Sequence, residues 1–322
     1  MPEGDIVWRA ARRMDAALAG ETVLRSDLRV PALATVDLSG QRISGVTARG
    51  KHLLTRFDGG LSLHTHFRME GSWHLYPPQA RWTGGPDWQV RVVLVTARQT
   101  AVGYRLAIVE LLPGDREHEA VGHLGPDLLG PDWDLEAALT RLRARPRRSI
   151  GAALLDQRNL AGLGNIWRTE ACFVAGVSPW TAVQDVPDLA GLIRRAQLMI
   201  SAGARGGHQT TTGSPRAGQE HWVYGRAGRP CRRCATRILV ADSTDGDDEG
   251  DGHLADGDGG GPGRGHGEGR RTTWCPHCQP SGTRYTQRAP ISPTGAGREL
   301  RANTGSAGIS FGRRRSGGPG HG

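Results

Sequence analysis

Removal of Met1 from MPEGDIVWRAARRM would leave Pro2 as the terminal residue, with Glu3 beside it and a helical pattern behind it. A terminal proline is a secondary amine that no amide bond ties up. Such an amine can attack an electrophilic carbon and form an iminium, and a neighbouring carboxyl can carry the protons that move with it. The same residues also suit an ordinary helix start, where proline fits the first turn and a carboxylate complements the dipole. A second group stands out by composition. Of 41 basic residues all but one are arginine, and the exception is Lys51, in ARGKHLL. A single lysine kept against that background points to a position where a planar guanidinium does not replace a compact ammonium.

Four of the five cysteines form two C-x-x-C pairs, CRRC at Cys231 and Cys234 and CPHC at Cys275 and Cys278. Two such pairs let four thiolates close a tetrahedron around one zinc ion, a structural site with no open position. The interval between the pairs exceeds the roughly 15–20 residues of the usual pattern. An acidic stretch at 242–268 accounts for the excess if it loops out. His277, inside the second pair, is expected to face solvent, and Cys172, in an apolar helical run, to be a buried thiol. LLDQRNLAGLGNIWRTEACF reads as helix, tight turn, helix. Asn165 is placed at the N-cap of the second helix, where an amide side chain and exposed backbone N–H groups would make a phosphate site. GRRTTW, just before Cys275, reads as part of a short hairpin with an arginine, Arg270 or Arg271, at its tip.

The elements that must hold these groups follow from pattern. Residues 3–19 repeat apolar side chains at helical spacing. From residue 22 to about 112 the chain consists of short β-branched or alternating runs, VLRSDLRV, RISGVTAR, HLLTRF, LSLHTHF, SWHLY, VRVVLVT and YRLAIVEL, which suggest a sandwich or barrel. From residue 134 the texture is helical, through LEAALTRLRA, IGAALLDQ, NIWRTEACFVAG and DLAGLIRRAQLMISAGA. The expected architecture is therefore α+β and multidomain. A catalytic helix and β-sandwich domain takes residues 1–115 and a linker 116–130. A helical domain takes 131–222, a zinc finger with a disordered acidic insert (242–268) takes 223–280, and a disordered basic tail takes 281–322. Net charge is +9, and the insert alone holds nine acids and one arginine, so the rest carries about +17. That surplus suggests a polyanion partner, nucleic acid first. The absence of an apolar run of membrane length and of a signal peptide leads to the expectation of a cytoplasmic protein with reduced cysteines.

The pieces PEG at 2–4, RGKHLL around Lys51, LAGLGNIW at 160–167, VYGRAGRPCRRC at 223–234 and GRRTTWCPHCQ ending at Gln279 occur in one order across nearly the whole chain before the tail. Together they resemble the formamidopyrimidine-DNA glycosylase / endonuclease VIII family of base-excision repair enzymes. PEGD looks more like the endonuclease VIII branch, its actinobacterial members in particular, than the PELP of the formamidopyrimidine branch. The resemblance implies a helix–two-turn–helix in the helical domain. It also implies a bifunctional DNA glycosylase and abasic-site lyase that removes oxidised bases, pyrimidines above all, and cuts the strand by β,δ-elimination. Under it, Pro2 is the nucleophile, Glu3 the acid/base, and Lys51 holds a phosphate or assists proton transfer. Asn165 and Arg270, with Arg271 one register away, grip phosphates. Met69, in HTHFRMEGSW, matches a wedge that fills the place of the flipped base. One structural zinc per chain, a duplex carrying an oxidised base or abasic site as partner, a nucleoid-associated location and a monomer complete the expectation. The chain departs from the family at Asp5 and Ile6, where Pro and Glu are usual, and in its acidic insert.

Two other readings stand beside this one. One is a damaged-DNA-binding protein on the same scaffold without turnover. The other is a zinc-ribbon regulator whose N-terminus is irrelevant and which would tolerate an N-terminal tag. The insert's charge gives a first prediction. Deleting 242–268 is expected to tighten nonspecific DNA binding at low salt, because eight net negative charges no longer compete with phosphate. Equal affinities of the two proteins in a low-salt titration would remove that idea.

Overall fold

The computed structural model describes residues 2–243 and 270–280. The acidic insert beyond Ser243, the tail 281–322 and the side chain of Arg270 lie outside the described residues. Helix α1 (Gly4–Leu18) buries Val7, Ala11, Met14 and Leu18, one stripe at three- and four-residue spacing. Eight strands follow: β1 (Arg25–Leu28), β2 (Ile43–Arg49), β3 (His52–Phe57), β4 (Leu61–His66), β5 (Ser72–Tyr76), β6 (Val90–Val95), β7 (Thr100–Tyr104) and β8 (Ile108–Pro113). They form two antiparallel four-stranded sheets, in the orders β1-β6-β7-β5 and β2-β3-β4-β8. Alternate residues such as Val46, Leu53, Phe57 and Leu63 from one sheet meet Val92 and Leu94 from the other, and the helix stripe joins the same core.

The sequence pattern merges two strands into the run YRLAIVEL. In the structure Tyr104 ends β7, Arg105 turns the chain at φ +49°, and β8 begins at Ile108. Strand β7, TAVGY, escapes the pattern because all five of its residues are buried, so the sequence shows no alternation. A single helical turn, α2 (Glu117–Val121), occupies the expected linker and is too short to have a period.

The second half holds α3 (Leu135–Arg143), α4 (Ile150–Leu155), α5 (Asn165–Ala175) and α6 (Leu189–Gly206). Asp134 caps α3 by accepting from the N–H groups of Glu136 and Ala137. Leu154, Leu160, Leu163 and Trp167 pack against Leu192, Ile193 and Ile200 in a separate core. Strands β9 (Leu239–Ser243) and β10 (Arg270–Trp274) pair as an antiparallel hairpin, with Arg271 opposite Asp242 and Trp274 opposite Leu239. Beneath it Phe173, Val223 and Ile238 surround the buried Cys231 and Cys275.

Helix α1 joins the halves, packing on both β2 and α6. Its first residue touches the turn before α5. The Gly4 N–H donates to the Gly162 carbonyl at 2.9 Å, and a Cβ on Gly4 would lie 2.8 Å from Gly162 Cα. No flexible side chain stands there to give way. Gly4→Ala is therefore expected to lower the unfolding free energy by roughly 1–3 kcal/mol, as overpacking does, measured by urea denaturation. A loss below a few tenths would mean that the two backbones separate freely.

Candidate functional site

Glu3 is completely buried. Its carboxylate accepts from the backbone N–H groups of Gly164 at 3.0 Å, Ile166 at 2.7 Å and Trp167 at 3.3 Å. These are the unpaired donors at the start of α5, so a carboxylate from the far end of the sequence caps that helix. Sequence reasoning put Asn165 at the cap. The structure makes Gly164 the cap residue and Asn165 the first helical one, and Glu3 fills the anion site that those N–H groups offer. Gly164 must lack a side chain, since a Cβ there would stand 2.3 Å from the Glu3 carboxyl carbon. Burial pushes the Glu3 carboxyl above its ordinary range. The nearby Lys51 ammonium and the backbone donors pull the other way, and burial prevails. Pro2, partly buried, precedes it directly.

Asp5 is also buried, with its carboxyl held up by desolvation; it accepts from Trp167 Nε1 at 3.1 Å and Gln209 Nε2 at 3.0 Å. The carboxylate missing at position 6 thus has a buried neighbour at position 5.

Lys51 sits in the two-residue turn between β2 and β3, where Arg49 pairs with His52. The turn is held from outside the sheet. The Gly50 N–H donates to Asp127 Oδ2 at 2.7 Å, and Arg49 bonds the Gly125 carbonyl and pairs with Asp132. Behind Lys51 lies a histidine cluster. His52 meets His64 Nε2 at 2.8 Å, His64 meets Glu110 at 3.0 Å, and His66 packs edge-on against His52. Burial, then the neighbouring His66, His64 and His123, drive His52 down to about 2, so it stays neutral beside Lys51. Met69 is 56% exposed, in the turn after β4, and the pairing of His52 with His66 puts that turn at the same end of the sheet as Lys51. It is therefore a projecting side chain rather than a core methionine.

Asn165 meets the hairpin. Its Nδ2 donates to the Arg271 carbonyl at 3.1 Å, and its Oδ1 accepts from the buried Arg168, which also donates to Thr272 Oγ1 at 2.8 Å. The Arg271 side chain is exposed. The sulfurs of Cys231, Cys234, Cys275 and Cys278 all lie within 4.8 Å of one another, and His277 is exposed as expected. Such a cluster could hold a metal ion. Cys172 is fully buried, its thiol pushed up to about 11 by burial.

The structure thus gathers Pro2, Glu3 and Lys51 at the turn before α5, and Asn165 with the Arg271 strand at the start of α5. Sequence reasoning missed several residues around them. Asp127 holds the Lys51 turn. Glu170, fully buried, accepts from the N–H groups of Trp222, Val223 and Tyr224 at 2.7–2.8 Å. Partly buried Tyr224 is raised by burial and then by the Glu3 charge, which places its phenol in the field of the site. Glu170 and Tyr224 lie in the runs NIWRTEACFVAG and VYGRAGRPCRRC, and Asp127 in a connecting segment; all three are polar residues inside apolar or loop segments, with no spacing to mark them.

Two family profiles match: the formamidopyrimidine-DNA glycosylase N-terminal domain over residues 1–105 and the formamidopyrimidine-DNA glycosylase H2TH domain over 124–212. A protein named "Probable endonuclease 8 2" from Streptomyces coelicolor is 52% identical over 281 residues, covering 87% of this chain and 94% of that one. A DNA-(apurinic or apyrimidinic site) lyase from Mycolicibacterium smegmatis is 43% identical over 279 residues, 87% of this chain and 99% of the other. Among solved structures, Lactococcus lactis formamidopyrimidine-DNA glycosylase bound non-covalently to abasic-site DNA superposes with a TM-score of 0.68. It covers 87% of this chain and 100% of that chain at 22% identity, a likeness of fold.

The buried carboxyls make stability depend on pH. Glu3, Asp5 and Asp127 are all raised by desolvation from ordinary values of 4.5, 3.8 and 3.8. A raised carboxyl favours the folded state while protonated. Its contribution is complete below the ordinary value and is lost as pH rises through the folded one. These carboxyls therefore contribute a decline in unfolding free energy as pH climbs above 4.5, set against the rise that buried His52, held below its ordinary 6.5, contributes up to that value. Glu3→Gln should remove part of that slope. Urea denaturation at a series of pH values checks it, and an unchanged slope in the variant would return Glu3 to its ordinary value.

Proposed function

Because the chain belongs to the formamidopyrimidine-DNA glycosylase family, we propose that it is a bifunctional DNA glycosylase and abasic-site lyase of base-excision repair that works through Pro2. The observation that carries this reading is the seating of Pro2 and Glu3 against the start of α5, with the Lys51 turn pressed on the same segment. After removal of Met1, the Pro2 nitrogen attacks C1′ of the damaged nucleotide. The base leaves with the electrons of the glycosidic bond and takes up a proton. The sugar C1′–O4′ bond then opens, and O4′ takes its electron pair and a proton from Glu3 as the nitrogen, having lost its own proton, becomes an iminium. A carboxyl held above its ordinary range is suited to keep and give that proton. A base takes the C2′ proton, and the C–H electron pair, stabilised by the iminium, expels the 3′ phosphate; a base then takes the C4′ proton, and a second elimination expels the 5′ phosphate. Lys51 would hold a phosphate or assist proton transfer beside the lesion, its ammonium set off against a neutral His52.

Duplex DNA is the partner this reading requires. Asn165 and Arg271, with Arg270 beside it, would take phosphates, and Met69 would fill the gap left by the flipped nucleotide. Oxidised pyrimidines are the proposed lesions, in keeping with the endonuclease 8 name of the Streptomyces relative. Cys231, Cys234, Cys275 and Cys278 would hold one zinc ion. The Cys231–Cys278, Cys234–Cys275 and Cys234–Cys278 sulfur separations of 3.4–3.9 Å fit the edges of a thiolate tetrahedron with bonds of about 2.3 Å. Zinc there would fix the hairpin. No helix among the described residues is long and apolar enough to cross a membrane, and we place the protein on cytoplasmic DNA as a monomer.

Borohydride trapping tests the reading. Untagged protein is mixed with duplex DNA holding one abasic site, and borohydride reduces any imine to a stable covalent complex. The wild type is expected to be trapped and Pro2→Gly to lose most of the complex. Lys51→Arg should still be trapped while releasing a damaged base about tenfold more slowly or worse. Loss of trapping only in Lys51→Arg would transfer the nucleophile to Lys51. No complex from folded, metal-loaded wild type would leave DNA binding without turnover.

A further inference from the structure

Arg168 lies one turn into α5 and is 1% exposed. A guanidinium has donors and no acceptor, so whatever faces it must accept. Two acceptors do. One is the Asn165 amide oxygen on the same helix, and the other is the Thr272 hydroxyl on β10, at 2.8 Å. The first contact settles which way the Asn165 amide points. With its oxygen turned to Arg168, its NH2 must face the other way, where it donates to the Arg271 carbonyl at 3.1 Å. The second contact sets the register of the hairpin on the helix. Thr272 is buried, and its neighbour Arg271 is exposed on the opposite side of the strand. The helix backbone nearby leaves room for the guanidinium, since a Cβ on Gly151 of α4 would lie 3.0 Å from its Nη1.

We propose that Arg168 is a positioning residue for DNA binding: it turns the Asn165 NH2 outward and locks the strand carrying Arg271 beside it, so that one buried guanidinium sets two phosphate contacts. The idea rests on the reading of Asn165 and Arg271 as phosphate ligands. When DNA binds, the Asn165 NH2 exchanges the Arg271 carbonyl for a phosphate oxygen, while its oxygen stays on Arg168. A buried side chain that touches no phosphate releases no counterion, so its removal weakens binding without altering the salt dependence.

The experiment measures the affinity of the full chain for a fluorescent duplex containing a tetrahydrofuran abasic-site analogue, across a salt series. The proteins are wild type, Asn165→Ala, Arg168→Met and the double variant, each checked for bound zinc and melting temperature. Asn165→Ala and Arg168→Met are each expected to weaken binding about tenfold. The double variant should be no weaker than the poorer single, because the second change removes an interaction already lost. The slope of log affinity against log salt should be the same in wild type and Arg168→Met. Losses that multiply in the double variant would overturn the proposal, as Arg168 would then act apart from Asn165. A slope smaller by about one would also overturn it, by making Arg168 a direct phosphate ligand. An Asn165→Ala protein that binds like wild type would instead sink the phosphate reading of Asn165 on which the proposal rests. If Arg168→Met does not fold, Arg168→Lys keeps the buried charge, but its side chain is one bond shorter and does not carry a nitrogen to where Nη2 meets both acceptors. Its expected loss is smaller and again vanishes in the Asn165→Ala background; a loss that persists there overturns the proposal.

Discussion

A carboxylate held by three backbone N–H groups joins the first residues of this chain to its middle. Glu3 needs those donors because it is wholly buried, and α5 needs an acceptor because its own cap residue, Gly164, has no side chain. Each solves the other's problem. The glycines on both sides of the contact, Gly4 and Gly164, allow it to be that close. Since Glu3 fixes α5, it also fixes where Asn165 and Arg168 begin, and through them the hairpin. The proposed amine at Pro2 and the proposed phosphate contacts therefore share one frame of reference.

The segment 125–132 has a comparable part on the other side. Asp127 receives the Gly50 N–H, and Arg49 reaches Gly125 and Asp132. The Lys51 turn is thus held by a connection between the two halves, not by the sheet alone. The histidines behind it belong to the same picture: burial and mutual repulsion keep His52 uncharged, and the Lys51 ammonium does not face a full positive charge there.

Legibility in the sequence followed the range of the interaction. Pro2, Glu3, Lys51 and the paired cysteines could be read because their residue types and spacing are unusual where they stand. Helices such as α1 and α6 were readable from one apolar stripe each. Strand β7 was not, because burial on both faces erases alternation, and neither was the one-turn α2. Sequence alone points to Asn165 as the cap of α5 because capping is normally local, whereas the acceptor arrives from residue 3. Asp127, Arg168 and Glu170 left no mark for the same reason. Each is a buried polar group whose partners are mainly backbone or side-chain atoms distant in sequence, and such partners leave no period. Met69 could be read as core or as projection, and only its exposure in the turn decided between them.

The bond between Glu3 and Gly164 spans 161 positions of sequence. On the ribosome, the first two residues emerge long before the segment that receives them, and domains fold roughly in the order of synthesis. The β-sandwich can close while Glu3 still lacks its donors. A nascent or truncated chain that stops short of α5 thus carries the proposed amine without the surroundings that seat it, and the Glu3 contact comes into being only when more than half of the protein has been made.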